Sequence, residues 1–284
     1  MHTSSKTSAE RPLRAATKTL ILAAALSASL HSASAQILYS TGFENPPFAN
    51  GSTLLGQDGW STAIPPFLNP NAATITNVAA QAGLQSVRVR GVDLVSAPDV
   101  APNAAVGSYR RPLNYDTAAP GNLPIVRIQA DIRLDGPVIG TGDFFSVNLA
   151  GRTPDGGDPE LSISSDGMVY GYGNTGILYS APITLNAWHT LGISIDFAAD
   201  TYTYSVDGTS SAAFPFGAGF TSDLLLRESL VAYAQPDAGG NVRSAFTAYY
   251  DNVSATAVVP EPASASLLTL GCVSLLGFRL RSRR

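Results

Sequence analysis

The segment VRIQADIRL, residues 126–134, sets Val126, Ile128, Ala130, Ile132 and Leu134 in alternation with Arg127, Gln129, Asp131 and Arg133. Successive side chains of a strand point to opposite faces, so this segment has one apolar and one polar face and belongs half buried in a sheet. QSVRVRGV repeats the pattern, with Val87 and Val89 against Arg88 and Arg90. LSISSDGMVYGY places Asp166-Gly167 between two such runs, the composition of a tight hairpin turn. Between residues 36 and 258 no stretch holds a helical period for three turns, and there is no repeat at solenoid or propeller spacing. The expected fold is all-β: a two-sheet antiparallel β-sandwich.

Residues 186–208, NAWHTLGISIDFAADTYTYSVDG, carry the most specific pattern. Leu191, Ile193, Ile195 and Phe197 point one way; Tyr202, Tyr204 and Val206 repeat the alternation up to an Asp207-Gly208 turn. A strand opened by Trp-His and returned through a Tyr-rich partner resembles the central hairpin of laminin-G-like, concanavalin-type jelly rolls. In that resemblance ILYSTGFE is the first strand and AYYDNVSATAV the last, and the two chain ends are neighbours. The proline-rich pieces NPPFANG, IPPFLNP and SAPDVAPN read as long surface loops.

The two ends of the chain obey different rules. A polar, basic stretch (Lys6, Arg11, Arg14, Lys18) precedes the apolar run 20–30, and Ala33-Ser34-Ala35 supplies small residues before Gln36. That order reads as a secretory signal peptide over residues 1–35, cut before Gln36. At the other end, residues 263–278 hold no charge, about 24 Å as a helix. This is short against a hydrocarbon core of about 30 Å. Arg279, Arg281, Arg283 and Arg284 follow at once and favour the cytoplasmic side. Pro260-Glu261-Pro262 cannot join that helix and stays extended.

Residues 259–284 resemble the bacterial PEP-CTERM sorting signal: a Pro-Glu-Pro motif, a short transmembrane helix and an Arg-rich end. The resemblance implies export in a Gram-negative bacterium that makes extracellular polysaccharide. It also implies passage through an inner-membrane intermediate, recognition of the tail by an exosortase-type enzyme, and a final place at the cell surface or outside it. Cys272, the only cysteine, lies in the span and reads as a small apolar filler.

Between these ends, residues 36–258 form one β-sandwich domain. It carries nineteen acidic residues against nine arginines and no lysine, a net charge of −10. A field of that sign disfavours nucleic acid as a partner. The absence of cysteine excludes disulfides and thiolate metal sites.

Candidate chemistry is sparse. His189 is the only histidine after residue 35, which excludes a multi-histidine zinc site, and its parity places it on the apolar side of its strand beside Trp188. Glycosidases need two positioned carboxylates. The Glu-x-Asp-x-x-Glu strand of jelly-roll glucanases is absent, and Glu44, Glu160 and Glu228 stand apart in sequence. Hard cations take carboxylate and carbonyl oxygens. In calcium-bearing carbohydrate-binding jelly rolls a Glu after the first strand and an Asp on the last share a structural ion, which here implies Glu44 and Asp251. Asp155 and Asp158 form a second acidic loop. Tyr170 and Tyr172 share parity among glycines and could lie against sugar rings; Trp60 in GQDGW is an alternative platform. The expected function is a non-catalytic, exported domain binding polysaccharide or matrix. Two other classes stay open: a polysaccharide-cleaving enzyme, hydrolase or lyase, on a concanavalin-like fold, and a purely structural matrix component.

Overall fold

The alternating segment 126–134 lies within an eleven-residue strand near the middle of a nine-stranded sheet. The structure, a computed structural model, describes residues 35–62, 69, 71–96, 105–139, 145–153, 159–173, 175–217, 224–234 and 245–259. The signal peptide expected over residues 1–35, save Ala35, the sorting tail expected over 259–284 with its transmembrane helix, save Val259, and Asp155 and Asp158 lie outside the described residues. Among the described residues no helix is long and apolar enough to cross a membrane.

In chain order the strands begin with β1 (Gln36–Thr41), β2 (Ser61–Thr62), β3 (Ala73–Thr76), β4 (Ser86–Arg90), β5 (Val95–Ser96) and β6 (Ala105–Asp116). Next come β7 (Ile125–Asp135), β8 (Phe145–Arg152), β9 (Glu160–Ser164), β10 (Met168–Gly173) and β11 (Gly176–Pro182). The last group is β12 (Trp188–Asp196), β13 (Thr201–Val206), β14 (Thr209–Ser210), β15 (Phe214–Pro215), β16 (Leu224–Ala234) and β17 (Thr247–Val258). A 3-10 turn, Gly91–Asp93, is the only helical element among the described residues.

All pairings are antiparallel, and the strands sort into two sheets as the alternation requires. The nine-stranded sheet runs β14-β13-β12-β7-β17-β4-β3, with β1 also on β17 and β15 on β13. The eight-stranded sheet runs β11-β10-β9-β8-β16-β6-β2, with β5 on β6. Both expected hairpins form: β9–β10 turns at Asp166-Gly167, and β12–β13 pairs Leu191 with Val206 and Ile195 with Tyr202. First and last strands are neighbours, with Gln36 opposite Ala257.

The apolar face of β7 is the floor of the core: Val126, Ile128, Ala130, Ile132 and Leu134 are all fully buried. Leu149, Leu161, Ile163, Val169 and Leu230 face them from the eight-stranded sheet. Two tyrosines tie the layers together. The Tyr250 hydroxyl donates to the Val231 carbonyl at 2.8 Å, and the Tyr204 hydroxyl donates to the Tyr172 carbonyl. Tyr204 and its strand neighbour Tyr202 need space in the opposite sheet. A methyl group on Gly171 would stand 2.6 Å from the Tyr204 ring, and one on Gly173 would strike the Tyr202 hydroxyl. The glycines of MVYGYG therefore clear room inward, for the core, rather than around Tyr170 and Tyr172.

The segment NPPFANG does more than bridge strands. Phe48 is buried against Phe43, with ring centroids 5.2 Å apart, and Trp60 closes the same cluster. IPPFLNP and SAPDVAPN lie almost wholly outside the described residues.

A glutamate on β16 sets a carboxyl group in the interior. Glu228 of β16 points inward between Arg111 of β6 and Gly151 of β8, fully buried, with no hydrogen bond to either carboxyl oxygen. Burial pushes its carboxyl up to about 8, and the Arg111 charge offsets this only in part. The folded chain thus holds a proton that the unfolded chain releases near pH 4.5. Stability from this group is complete below about pH 4.5 and falls as pH rises through about 8, by up to about 5 kcal/mol. Glu228→Gln is expected to flatten that decline, which denaturant midpoints taken between pH 4 and 9 on both proteins measure.

Candidate functional site

On the eight-stranded sheet the residues between the core positions face away from the interior, and they are polar. Adjacent strands align them in rows. One row runs Arg110 (β6), Ser229 (β16), Ala150 (β8), Glu160 (β9), Tyr172 (β10). The next runs Ser108, Val231, Asn148, Ser162, Tyr170. Outward-facing polar side chains are ordinarily solvated, yet Ser146, Asn148, Ser162, Ser164 and Ser229 are all buried. The face is therefore recessed. Its centre is hydrogen-bonded: the Ser162 hydroxyl donates to Asn148 Oδ1 at 2.8 Å, and Asn148 Nδ2 donates to Glu160 Oε1. Asn148 thus fixes the Glu160 carboxylate through its amide.

Tyr170 and Tyr172 emerge side by side at one flank of this face, ring centroids 6.3 Å apart and tilted by 51°. The parity argument placed them together, and both are half-buried. The Tyr170 hydroxyl donates to Asp166 Oδ2 at 2.7 Å; that bond, then burial, pushes its phenol up to about 12. Burial, then the Glu160 and Asp166 charges, raises Tyr172 as well. Both rings stay neutral donors at physiological pH. Trp60, the alternative platform, is 2% exposed and donates its indole N–H to the Tyr39 hydroxyl at 3.0 Å; it packs the core and offers no ring to a ligand. Glu160 was missed as a site residue because GDPELSIS reads equally well as the start of a strand. Its parity, opposite to Leu161 and Ile163, was the available signal.

His189 occupies a satisfied pocket elsewhere. Its Nδ1 lies 2.7 Å from Asp207 Oδ2 and its Nε2 2.8 Å from the Thr184 carbonyl, an arrangement that closes the β12–β13 hairpin. It has no nucleophile beside it among these contacts.

Glu44 and Asp251 do come together, on either side of the turn 81–85. Asp251 Oδ2 accepts the N–H groups of Gln81 at 2.8 Å and Ala82 at 3.1 Å, and its Oδ1 accepts that of Asn252 at 2.8 Å. Glu44 Oε1 accepts Leu84 N–H at 2.7 Å and Gln85 N–H at 3.0 Å. Gly83, with φ +66°, turns the chain between them, and a side chain there would collide with the Glu44 carboxylate. Burial pushes the Asp251 carboxyl above its ordinary value while the N–H donors pull it back. A calcium ion needs oxygen donors. Here peptide N–H groups meet the two carboxylates, and among the described residues no three His, Cys, Asp or Glu side chains converge as a metal site. The arrangement is a carboxylate–amide clamp. Asp251→Ala leaves buried donors unanswered and is expected to cost on the order of 3 kcal/mol in denaturant unfolding.

No family model and no curated protein matches this chain. Its fold is similar to the crystal structure of an endo-1,3-beta-glucanase from Streptomyces sioyaensis, with a TM-score of 0.53 and 13% identity over 80% of this chain and 97% of that one. A carbohydrate esterase from the Shiga toxin-encoding bacteriophage phi24B aligns with a TM-score of 0.49, at 15% identity over 79% of this chain and 99% of the other. The catalytic domain of an endo-1,3-beta-glucanase (laminarinase) from Thermotoga petrophila RKU-1 aligns with a TM-score of 0.49, at 12% identity over 80% and 99%. At these identities the likeness is one of architecture: a jelly-roll sandwich that other chains use for carbohydrate chemistry.

Proposed function

We propose that this protein engages a polysaccharide chain along the recessed polar face of its eight-stranded sheet. The observation that carries the reading is the pair Tyr170 and Tyr172 standing beside buried Ser162 and Asn148 and half-buried Glu160. Rings of this kind cover the apolar faces of sugar rings, while amide, hydroxyl and carboxylate groups in fixed positions receive their hydroxyls. Binding without turnover is the reading that the residues of the face favour. Hydrolysis takes two carboxylates, and among the described residues Glu160 is the one carboxylate in these two rows.

Cleavage is the second reading. A solved structure of similar fold is named as an endo-1,3-beta-glucanase, and Glu160 stands directly opposite Tyr172 in the row. A carboxylate base and a phenol acid are a pair that elimination could use, with one group taking a carbon-bound proton and the other protonating the leaving oxygen. Full-length protein tested on a glycan array, with parallel assays for reducing ends and for the ultraviolet absorbance of unsaturated products, separates the two. Binding with neither product is expected. Tyr172→Ala is expected to weaken that binding about tenfold.

The address belongs to the same proposal. Signal peptide, Pro-Glu-Pro hinge, undersized span and terminal arginines support export and sorting by an exosortase-type enzyme. Mass spectrometry of material recovered from cell surface or medium is expected to find the carboxyl terminus trimmed near Pro260. An intact Arg284 would overturn this part of the proposal.

A further inference from the structure

Three arginines share one corner of the recessed face. Arg227 on β16 stands directly opposite Arg152 on β8. One row along, Arg110 on β6 stands opposite Ser229. Strands lie about 4.8 Å apart, and same-face neighbours on one strand about 6.8 Å apart, so the three positions fall within about 12 Å. The domain has nine arginines against nineteen acids, and a third of its positive charge is gathered here. The floor beside them is small, Ala150 and Ser229, which leaves room for an incoming group. Each of the three also contacts protein. A guanidinium carries five N–H donors in a planar fork, so a protein contact and a ligand contact are compatible.

The same row continues from Arg110 through Glu160 to Tyr172, across four strand spacings or about 19 Å. A ligand lying along it meets positive charge at one end and aromatic rings at the other. The fork geometry matches a carboxylate, which it can bind through two parallel hydrogen bonds. The domain's overall negative field opposes a densely charged polyanion and tolerates one whose acid groups are spaced among neutral sugars.

We infer that the polysaccharide is acidic: a uronate-bearing chain whose carboxylates dock at Arg110, Arg152 and Arg227 while a neutral sugar ring lies on Tyr170 and Tyr172. This rests on the binding reading above and narrows its substrate class. It is tested by affinity electrophoresis of the full-length protein through glucuronoxylan, alginate and xanthan, each in native and carboxyl-reduced form, with neutral laminarin alongside.

At least one native acidic glycan is expected to bind about tenfold or more tightly than its reduced form. That preference should weaken as salt is raised. The R152Q/R227Q double variant should lose the preference while keeping the wild-type melting temperature and its affinity for the reduced glycan. Equal binding of every native and reduced pair, or binding of laminarin alone, overturns the inference and leaves the polysaccharide reading standing. Absence of binding to every glycan overturns that reading itself.

Discussion

Strand β17 has one flank covered along its length by β7 and the other divided between two shorter strands, β4 on its first half and β1 on its second. Where those partners fail to meet, peptide groups of β17 and of the turn leading into β4 would be left without bonds in the interior. Desolvated donors of that kind cost more than an ordinary hydrogen bond yields. The chain fills the break with Asp251 and Glu44. At the same place Asn252 and Val253 bulge opposite the single residue Ala130, which re-aims β17. Asn252, at φ +47°, donates its side-chain amide to Asp131 Oδ2 at 2.7 Å, so the bulge is tied to β7 as well. Joining of first to last strand, and hence closure of the nine-stranded sheet, depends on this one junction.

The faces of the strands were legible in the sequence because parity is local. Val126 to Leu134, Val87 and Val89, and the 186–208 hairpin all fell where alternation put them. So did Tyr170 and Tyr172 on one face. Parity does not say which face a sheet turns toward its partner or how deep the other face lies, so Glu160, Asn148 and the serines beside them gave no signal of a recess. Trp60 was misread for a related reason. Its Gly-rich surroundings look like an exposed loop, yet Tyr39 and Phe43 pack against it from a distance in sequence. The glycines at 171 and 173 showed the same limit, because the tyrosines they accommodate belong to another strand and another sheet.

Two carboxylates illustrate how position decides chemistry. Glu228 faces inward, unbonded, and is held in its neutral form by burial. Glu160 faces the recess and is oriented by Asn148. The strand pattern of β16 makes no exception for the first, and its retention in an otherwise apolar interior costs stability that hydrophobic packing must offset. The second lies in an outward-facing row, beside Asn148 and opposite Tyr172.

Gln36 opposite Ala257 means that the polypeptide enters and leaves the body by adjacent strands running in opposite directions. In covalent terms the body is one peptide bond short of a ring. A few residues joining the two ends would close it, and new ends could be opened at the Asp207-Gly208 turn without cutting a strand. The body's architecture therefore carries no memory of where the ribosome began it, and whatever precedes or follows could be exchanged as a module while the sandwich stays the same.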